Sequence, residues 1–116
     1  MSNSIFGLLA ASLNLSQRAE SLTTNNLANL QTPGYQAQQL SFRRALAKAW
    51  QAGTPLGAVT GTVSTVSGAV SASGNGVSMT AQMTQLMQDQ LLYSTAAQAW
   101  TDEMTQINTA AGGQVP

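Results

Sequence analysis

The stretch from residue 79 to residue 111, MTAQMTQLMQDQLLYSTAAQAWTDEMTQINTAA, decides the fold of this 116-residue chain. Its stripe positions recur alternately every four and three residues, the spacing that keeps one face of a helix turned towards a partner helix, as in a coiled coil. The residues at this spacing are Met79, Met83, Leu86, Gln90, Tyr93, Ala97, Trp100, Met104, Ile107 and Ala111. We therefore expect a long amphipathic helix over residues 79–112.

One polar residue and several methionines stand out in this helix. Gln90 is alone among apolar stripe positions, where a polar side chain either fixes the register of a helix pair or lies where the pair meets solvent. Methionines are typical of adaptable partner-binding grooves. Their heptad spacing here favours ordinary packing between helices instead.

The N-terminal end carries a second stripe of the same rhythm, so we expect one helix over residues 3–30. Its candidate N-caps are Ser2, Asn3 and Ser4. Neither helix can cover its apolar face alone, so the two pair with each other, with other copies, or both. The fold is therefore expected to be mainly α, with the terminal helices paired as a coiled coil. The expected seam residues are Ile5, Leu8, Leu15, Leu22, Met79, Met83, Leu86, Tyr93, Trp100, Met104 and Ile107.

A turn is expected to stop the N-terminal helix. Asn25, Asn26 and Asn29 are weak helix formers, so the helix should fray there. The sequence Thr32-Pro33-Gly34-Tyr35 then ends it, because proline cannot continue a helix and biases the preceding residue towards an extended conformation. Proline at the second position and glycine at the third are typical of a type II turn, which needs a positive φ at the glycine.

Residues 31–51 are expected to form this turn, an extended segment and a short helix. The polar run from Tyr35 to Ser41 shows no helical pattern, whereas apolar residues recur at helical spacing over residues 42–51. Those apolar residues are Phe42, Leu46, Ala49 and Trp50, with Arg43, Arg44 and Lys48 on the other side. One short basic face on a neutral chain is a poor match to a nucleic-acid-binding protein, so we expect a solvated or inter-subunit surface.

Residues 52–78 differ in composition from both long helices. Glycine, serine, threonine, alanine and valine dominate, and no charged residue occurs from Ala49 to Gln88. Such a stretch is either a flexible connector or a small β-hairpin, and we expect it to be mostly irregular with some strand character. The sequence Ser73-Gly74-Asn75-Gly76 is expected to turn the chain before the C-terminal helix. At this length we expect residues 1–116 to form a single domain.

The composition excludes several classes of function. Only 7% of residues are charged, against about 25% in a typical globular protein, and four basic residues balance four acidic ones. Such neutrality favours self-association, and either habitat or selection for dense packing explains it. The chain has no cysteine or histidine, which removes disulfides, imidazole bases and the usual zinc sites. We expect no enzyme activity, catalytic residue, cofactor, metal site or small-molecule substrate.

The segment from Thr24 to Tyr35, TNNLANLQTPGY, closely resembles the N-terminal signature of bacterial flagellar rod and hook proteins. In that family an N-terminal helix ends in an asparagine-rich stretch and then Thr-Pro-Gly-Tyr or Thr-Pro-Gly-Phe. The matching turn-motif residues are Asn25, Asn26, Asn29, Thr32, Pro33, Gly34 and Tyr35. The C-terminal helix looks like the closing helix of the family. The short length and Leu40-Ser41-Phe42 before a short helix favour proximal rod proteins of the FlgB type.

This resemblance covers about two thirds of the chain and leaves out residues 52–74. It implies a structural subunit of the flagellar basal body, in the cell envelope, exported by the flagellar type III apparatus without a cleaved signal. The absence of a convincing cleavage signal agrees with this. Subunits of the family stack helically into the shaft that transmits torque from the inner-membrane ring to the hook. The implied partners are copies of the chain, other rod proteins, and the MS-ring and rod-base proteins.

Two other readings stay open at this point. The turn motif also permits another axial component of the same apparatus. The amphipathic helices also permit a secreted, membrane-active helical protein, although a lipid-surface helix usually carries lysine and arginine on its polar face. The C-terminal helix carries Asp89, Asp102 and Glu103 and no basic residue, which argues against a lipid surface. Glutamine at Gln36, Gln38 and Gln39, where the family commonly has charges, leaves the polarity of lateral contacts open.

Overall fold

The computed structural model describes residues 4–66, 74 and 77–112, and it is mainly helical, as the sequence predicts. The described elements in chain order are helix α1 (Ile5–Ala28), strand β1 (Gln38–Ser41), helix α2 (Arg43–Ala52), a 3-10 turn (Leu56–Ala58), strand β2 (Thr62–Thr65) and helix α3 (Met79–Gly112). No candidate membrane span is found among the helices of these residues.

Helix α1 begins at a serine cap. Ser4 Oγ accepts a hydrogen bond from the Gly7 N–H at 3.0 Å, which satisfies one of the unpaired backbone donors of the first turn. The other candidate caps, Ser2 and Asn3, lie outside the described residues. The helix continues through Asn25 and Asn26 to Ala28. The expectation that it frays at these two asparagines is therefore wrong, because their side chains are held by hydrogen bonds described below.

The turn after α1 has the geometry expected of its sequence. Gly34 has a φ of +76°, and the Tyr35 N–H donates to the Thr32 carbonyl at 3.3 Å. These are the positive φ and the closing hydrogen bond of a type II turn. A Cβ at Gly34 would meet no atom within 4 Å, so backbone conformation and not space makes glycine the favoured residue there.

The extended segment after the turn pairs with part of the residue 52–78 region. Strand β1 lies antiparallel to β2, with Gln38 opposite Thr65 and Ser41 opposite Thr62. The sheet therefore joins the two regions, whereas a hairpin within residues 52–78 was one of the expected alternatives. Gly61 enters β2 with a φ of +73°, and a Cβ there would lie 2.9 Å from Leu40 Cδ1. The expected turn at residues 73–76 falls largely outside the described residues.

Helices α1 and α3 pack side by side in opposite directions. Asn26 near the end of α1 contacts Gln82 near the start of α3. Phe6 near the start of α1 packs edge-on against Trp100, with ring centroids 4.9 Å apart. The described chain is accordingly long and flat, with extents of 65 × 31 × 14 Å.

The apolar core lies where α2 and the 3-10 turn cover the middle of α1. Its buried members are Leu15, Ala19, Phe42, Leu46, Ala49 and Leu56. Leu92 of α3 and Leu40 of β1 are partly buried against it. Helix α2 ends at Ala52 and is followed by Gly53, whose φ of +70° is typical of a glycine that caps a helix C-terminus. The core therefore ties the short elements to α1, while α3 touches only its edge.

Candidate functional site

Asn26 joins α1 to the turn, to β1 and to α3, although it is only 1% exposed. Its Nδ2 donates to the Gln38 carbonyl at 2.7 Å and to Gln82 Oε1 at 2.8 Å. Its Oδ1 accepts from the Gln38 N–H at 3.0 Å and from the Tyr35 hydroxyl at 3.1 Å. These four bonds use both donors and both lone pairs of the amide. One fully bonded side chain thus fixes how three elements meet α1.

The other residues of the turn motif hold one another. Asn25 Nδ2 donates to the Tyr35 hydroxyl oxygen at 2.8 Å. Asn29 Nδ2 donates to the Asn25 carbonyl at 2.8 Å, and the Thr32 hydroxyl donates to Asn29 Oδ1 at 3.0 Å. The structure therefore brings together the five polar members of the motif, while Pro33 and Gly34 shape the backbone between them.

Asp89 makes a second polar contact between the long helices and is only 4% exposed. Its Oδ2 accepts from Thr23 Oγ1 at 3.0 Å, and its Oδ1 accepts from Gln85 Nε2 at 2.9 Å. Thr23 Oγ1 also lies 3.1 Å from the Ala19 carbonyl, so its one proton is divided between two acceptors. A buried carboxylate is costly without such donors. We call Thr23, Asn26, Gln82, Gln85 and Asp89 the polar seam.

The face that α3 turns towards α1 differs from the predicted stripe. The buried residues of α3 are Gln82, Asp89 and Ala96. Each stands one residue before a stripe position, and one residue is about 100° of helix rotation. The predicted stripe therefore lies beside the contact with α1. Gln90 is exposed, so the polar seam, and not Gln90, carries the register between these helices.

The predicted seam residues fall into three groups in the single chain. Leu15 is buried in the core. The partly buried members are Leu8, Leu22, Leu86, Tyr93 and Trp100. The exposed members are Ile5, Met79, Met83, Met104 and Ile107. The exposed members do not contribute to the core of a single chain, and their role in assembly stays a prediction.

Helix α3 carries a strip of large apolar side chains on its solvent side. Met79, Met83, Met87 and Leu91 follow one another every four residues, the spacing of neighbours on a helix surface. Their exposed fractions are 61, 43, 67 and 69%. We call these four residues the outer strip. Contiguous exposed apolar surface of this kind marks an interaction site more often than scattered single residues do.

Two concave surfaces lie on either side of α2. An apolar groove of about 350 Å³ is lined mainly by Leu8, Phe42, Leu46, Trp50 and Leu92, with Arg43 at its rim. A cavity of about 570 Å³ lies on the other side of α2 and is lined in part by Arg43, Arg44, Lys48 and Asp89. Arg43 therefore lines both surfaces, whereas Arg44 and Lys48 line the second cavity alone.

No group of three or more acidic, histidine or cysteine side chains among the described residues could hold a metal ion. Asp89, the one buried acid of the polar seam, already accepts two hydrogen bonds from Thr23 and Gln85. The arrangement is suited to holding helices in register and to presenting apolar and charged surfaces to a partner.

Sequence reasoning missed the polar seam but had a signal for it. Gln82 and Asp89 stand seven residues apart, and Thr23 and Asn26 three apart, so each pair shares one helix face.

Comparisons with protein-family models and with curated proteins gave no match. The resemblance to flagellar rod and hook proteins therefore depends on the motif residues of the sequence alone.

Proposed function

We propose that this chain is a structural subunit that assembles helically with its own copies, as a proximal rod subunit of the bacterial flagellum. The observation that carries the proposal is the outer strip, because four large apolar side chains on a long, well-anchored helix need a partner to cover them. The low charge of the chain adds little repulsion between copies. The partners and place implied by the motif, namely other rod proteins, the ring and rod base, and type III export to the cell envelope, belong to this proposal.

The pairing of α1 with α3 as a coiled coil is part of the same proposal. Its support is the seven-residue spacing of the buried positions Gln82, Asp89 and Ala96. Polar residues at such positions fix register at some cost in stability. A subunit that carries torque along a shaft needs a fixed register, because a slipping helix pair would transmit none.

The motif residues support the proposal in a second way. The asparagine-rich turn joins the end of α1 to the start of α3 through Asn26, Tyr35 and Gln82. The same residues are those of the flagellar signature. The turn motif also permits the alternative that this chain is another axial component of the same apparatus. In that case, deletion of the gene would remove a different part of the basal body.

The test combines gene deletion with two matched variants of α3. Deletion in the organism that encodes the chain is expected to remove rod and hook from purified basal bodies seen by electron microscopy, and to abolish motility. The wild-type gene should restore both. Leu91→Asp should not, because it places a charge in the apolar outer strip. Gln90→Asp, which puts the same charge on the neighbouring exposed residue, should restore motility.

Circular dichroism of the purified variants supplies the folding control, since both substituted side chains are exposed. Intact, rotating flagella after deletion would contradict the rod proposal. Equal motility of the Leu91→Asp and wild-type strains would contradict the outer strip as the assembly surface.

The same exposed apolar side chains support a second candidate, a membrane-active helical protein. Against it, α3 carries three acidic residues and no basic one, whereas surface-bound helices usually attract lipid through lysine and arginine. Flotation with neutral and anionic vesicles separates the two. Firm binding that Leu91→Asp removes would favour the membrane candidate.

A further inference from the structure

Five of the eight charged side chains of this chain lie in two groups, while Glu20, partly exposed on α1, belongs to neither. Arg43, Arg44 and Lys48 lie together on α2, and Asp102 and Glu103 are neighbours on α3. Asp102 accepts a hydrogen bond from Gln98 Nε2 at 3.0 Å, and within the described residues none of the five forms an ion pair. The fourth basic residue, Arg18, is already bonded to the Thr60 carbonyl at 2.9 Å.

The acidic pair lies at the start of a projecting helix end. Trp100 packs on Phe6, next to Ile5, the first residue of α1. Beyond this contact, every residue of α3 from 104 to 112 is exposed in the described structure. Nine residues extend about 13 Å along a helix. The projecting end, residues 101–112, therefore presents two carboxylates together with the exposed side chains of Met104 and Ile107.

The groove beside α2 has the complementary character. Its walls are apolar, formed mainly by Leu8, Phe42, Leu46, Trp50 and Leu92, and Arg43 stands at its rim. Trp50 is 40% exposed, which leaves a large ring ready to be covered. An apolar centre with a charged rim is the usual anatomy of a protein interface.

The projecting end cannot fill the groove of its own molecule. Leu92 lines the groove and belongs to the same helix as Asp102, ten residues and about 15 Å away along the axis. A continuous helix does not fold back over that distance. The occupant must come from a different chain.

We propose that the projecting end of α3 from one copy docks into the groove beside α2 of the next copy. Met104 and Ile107 cover the apolar walls, and Asp102 and Glu103 pair with Arg43, which lines the groove, and with its exposed neighbour Arg44. This inference rests on the proposed self-assembly and adds which two surfaces meet. The two surfaces differ, so the contact is head-to-tail, and a head-to-tail contact that does not close into a ring generates a helical array.

Charge exchange in the full-length chain tests the pairing. Arg43→Glu with Arg44→Glu, and separately Asp102→Lys with Glu103→Lys, should each weaken assembly measured by sedimentation and light scattering by about tenfold or more, because like charges then face each other. A chain carrying all four substitutions should regain most of the wild-type assembly. Circular dichroism checks that each variant keeps its helix content.

Cysteine cross-linking tests the same contact without altering charge. The chain has no natural cysteine, so a Gln51→Cys copy mixed with an Asn108→Cys copy can join only at the introduced positions. Gln51 lines the groove, and Asn108 lies on the projecting end. A short bis-maleimide should join these two copies efficiently. Thr24→Cys, exposed on α1 away from α2, mixed with Asn108→Cys should give little product.

The outcomes separate this inference from the proposed function. Wild-type assembly that neither charge variant weakens, or no recovery in the fourfold variant, would overturn the docking contact and leave self-assembly standing. Equal cross-linking of the groove and control positions would also overturn it. Wild-type protein that stays monomeric, together with normal flagella after gene deletion, would remove both proposals.

Discussion

The two ends of the α1–α3 pair are held by different kinds of contact. At the turn end, Asn26 bonds to Gln82 at 2.8 Å and Thr23 bonds to Asp89 at 3.0 Å. At the other end, Phe6 and Trp100 pack their rings edge-on. Hydrogen bonds depend steeply on distance and angle, whereas apolar contact is non-directional. The turn end therefore sets the register of the α1–α3 pair. The aromatic end stabilises the pair without specifying its register.

This difference explains why so much apolar surface of α3 remains outside. Facing α1 with polar side chains turns Met79, Met83, Met87 and Leu91 away from the core. An apolar seam would cover more of these side chains but would tolerate sliding. The structure therefore leaves apolar side chains of α3 exposed while polar contacts define the register of α1 and α3, an arrangement that agrees with the proposed self-assembly.

The largest effect should come from breaking the turn end at Asn26. Asn26→Ala removes four hydrogen bonds and leaves the partly buried Gln38 N–H and the buried Gln82 amide without their partner. We expect a loss of about 3 kcal/mol in the free energy of unfolding, measured by urea denaturation. The matched control is Asn25→Ala, whose bond to Tyr35 is exposed, with an expected loss below about 1 kcal/mol. Equal losses for the two would refute the central role of Asn26.

A smaller effect should follow from removing one hydrogen bond of the polar seam. Thr23→Val keeps the shape of the side chain but leaves a buried Asp89 oxygen without its donor, at an expected cost of about 2 kcal/mol. Adding Asp89→Leu should recover much of this loss, because both polar partners are then replaced. The measurement is a double-mutant cycle in urea. Strictly additive losses would show that the two residues do not act as a pair.

The turn itself should respond through backbone conformation. Gly34→Ala forces a side chain into a positive φ, so we expect it to cost about 1.5 kcal/mol. Gly57→Ala is the control, since a Cβ there also meets no atom within 4 Å and φ is not positive. That variant should be neutral or slightly stabilising. Thermal unfolding that ranks the two variants the other way would argue against the type II turn.

The smallest effect should come from the aromatic end. Phe6→Leu keeps most of the apolar area and loses the edge-on ring contact with Trp100, so we expect about 1 kcal/mol. Hydrogen exchange should show faster opening of the first turns of α1 and unchanged protection around Asn26. Loss of protection at both ends would mean that the aromatic contact also helps to set register.

Local elements were predictable because they depend on neighbouring residues. The heptad spacing and the absence of proline and glycine between Met79 and Ala111 define a long helix, and α3 spans Met79–Gly112. Proline followed by glycine defines the turn at Gly34. The short basic helix was expected over residues 42–51 and lies at Arg43–Ala52.

The pairing of these elements was less predictable. Strand β2 pairs with β1 across the chain, which no local pattern in either four-residue strand specifies. Asparagine near the end of a helix is a weak helix former by propensity, yet Asn26 is buried and bonded on all sides. Helix propensity alone gave the wrong prediction for Asn26, because its hydrogen-bond partners come from the turn, β1 and α3. Only the folded chain brings these elements close to Asn26.

By itself, the sequence determined the two long helices, the glycine turn, the absence of cysteine and histidine and the low charge, because each depends on residue type and spacing along the chain. The tertiary structure alone decided which face of α3 meets α1. A stripe of apolar residues predicts that a helix face will be covered but not by what. The hydrogen bonds of Asn26 and Asp89 place the contact face of α3 one residue, or about 100° of helix rotation, away from the predicted stripe. Buried polar groups need hydrogen-bond partners within the chain, whereas apolar side chains can remain exposed on a single copy.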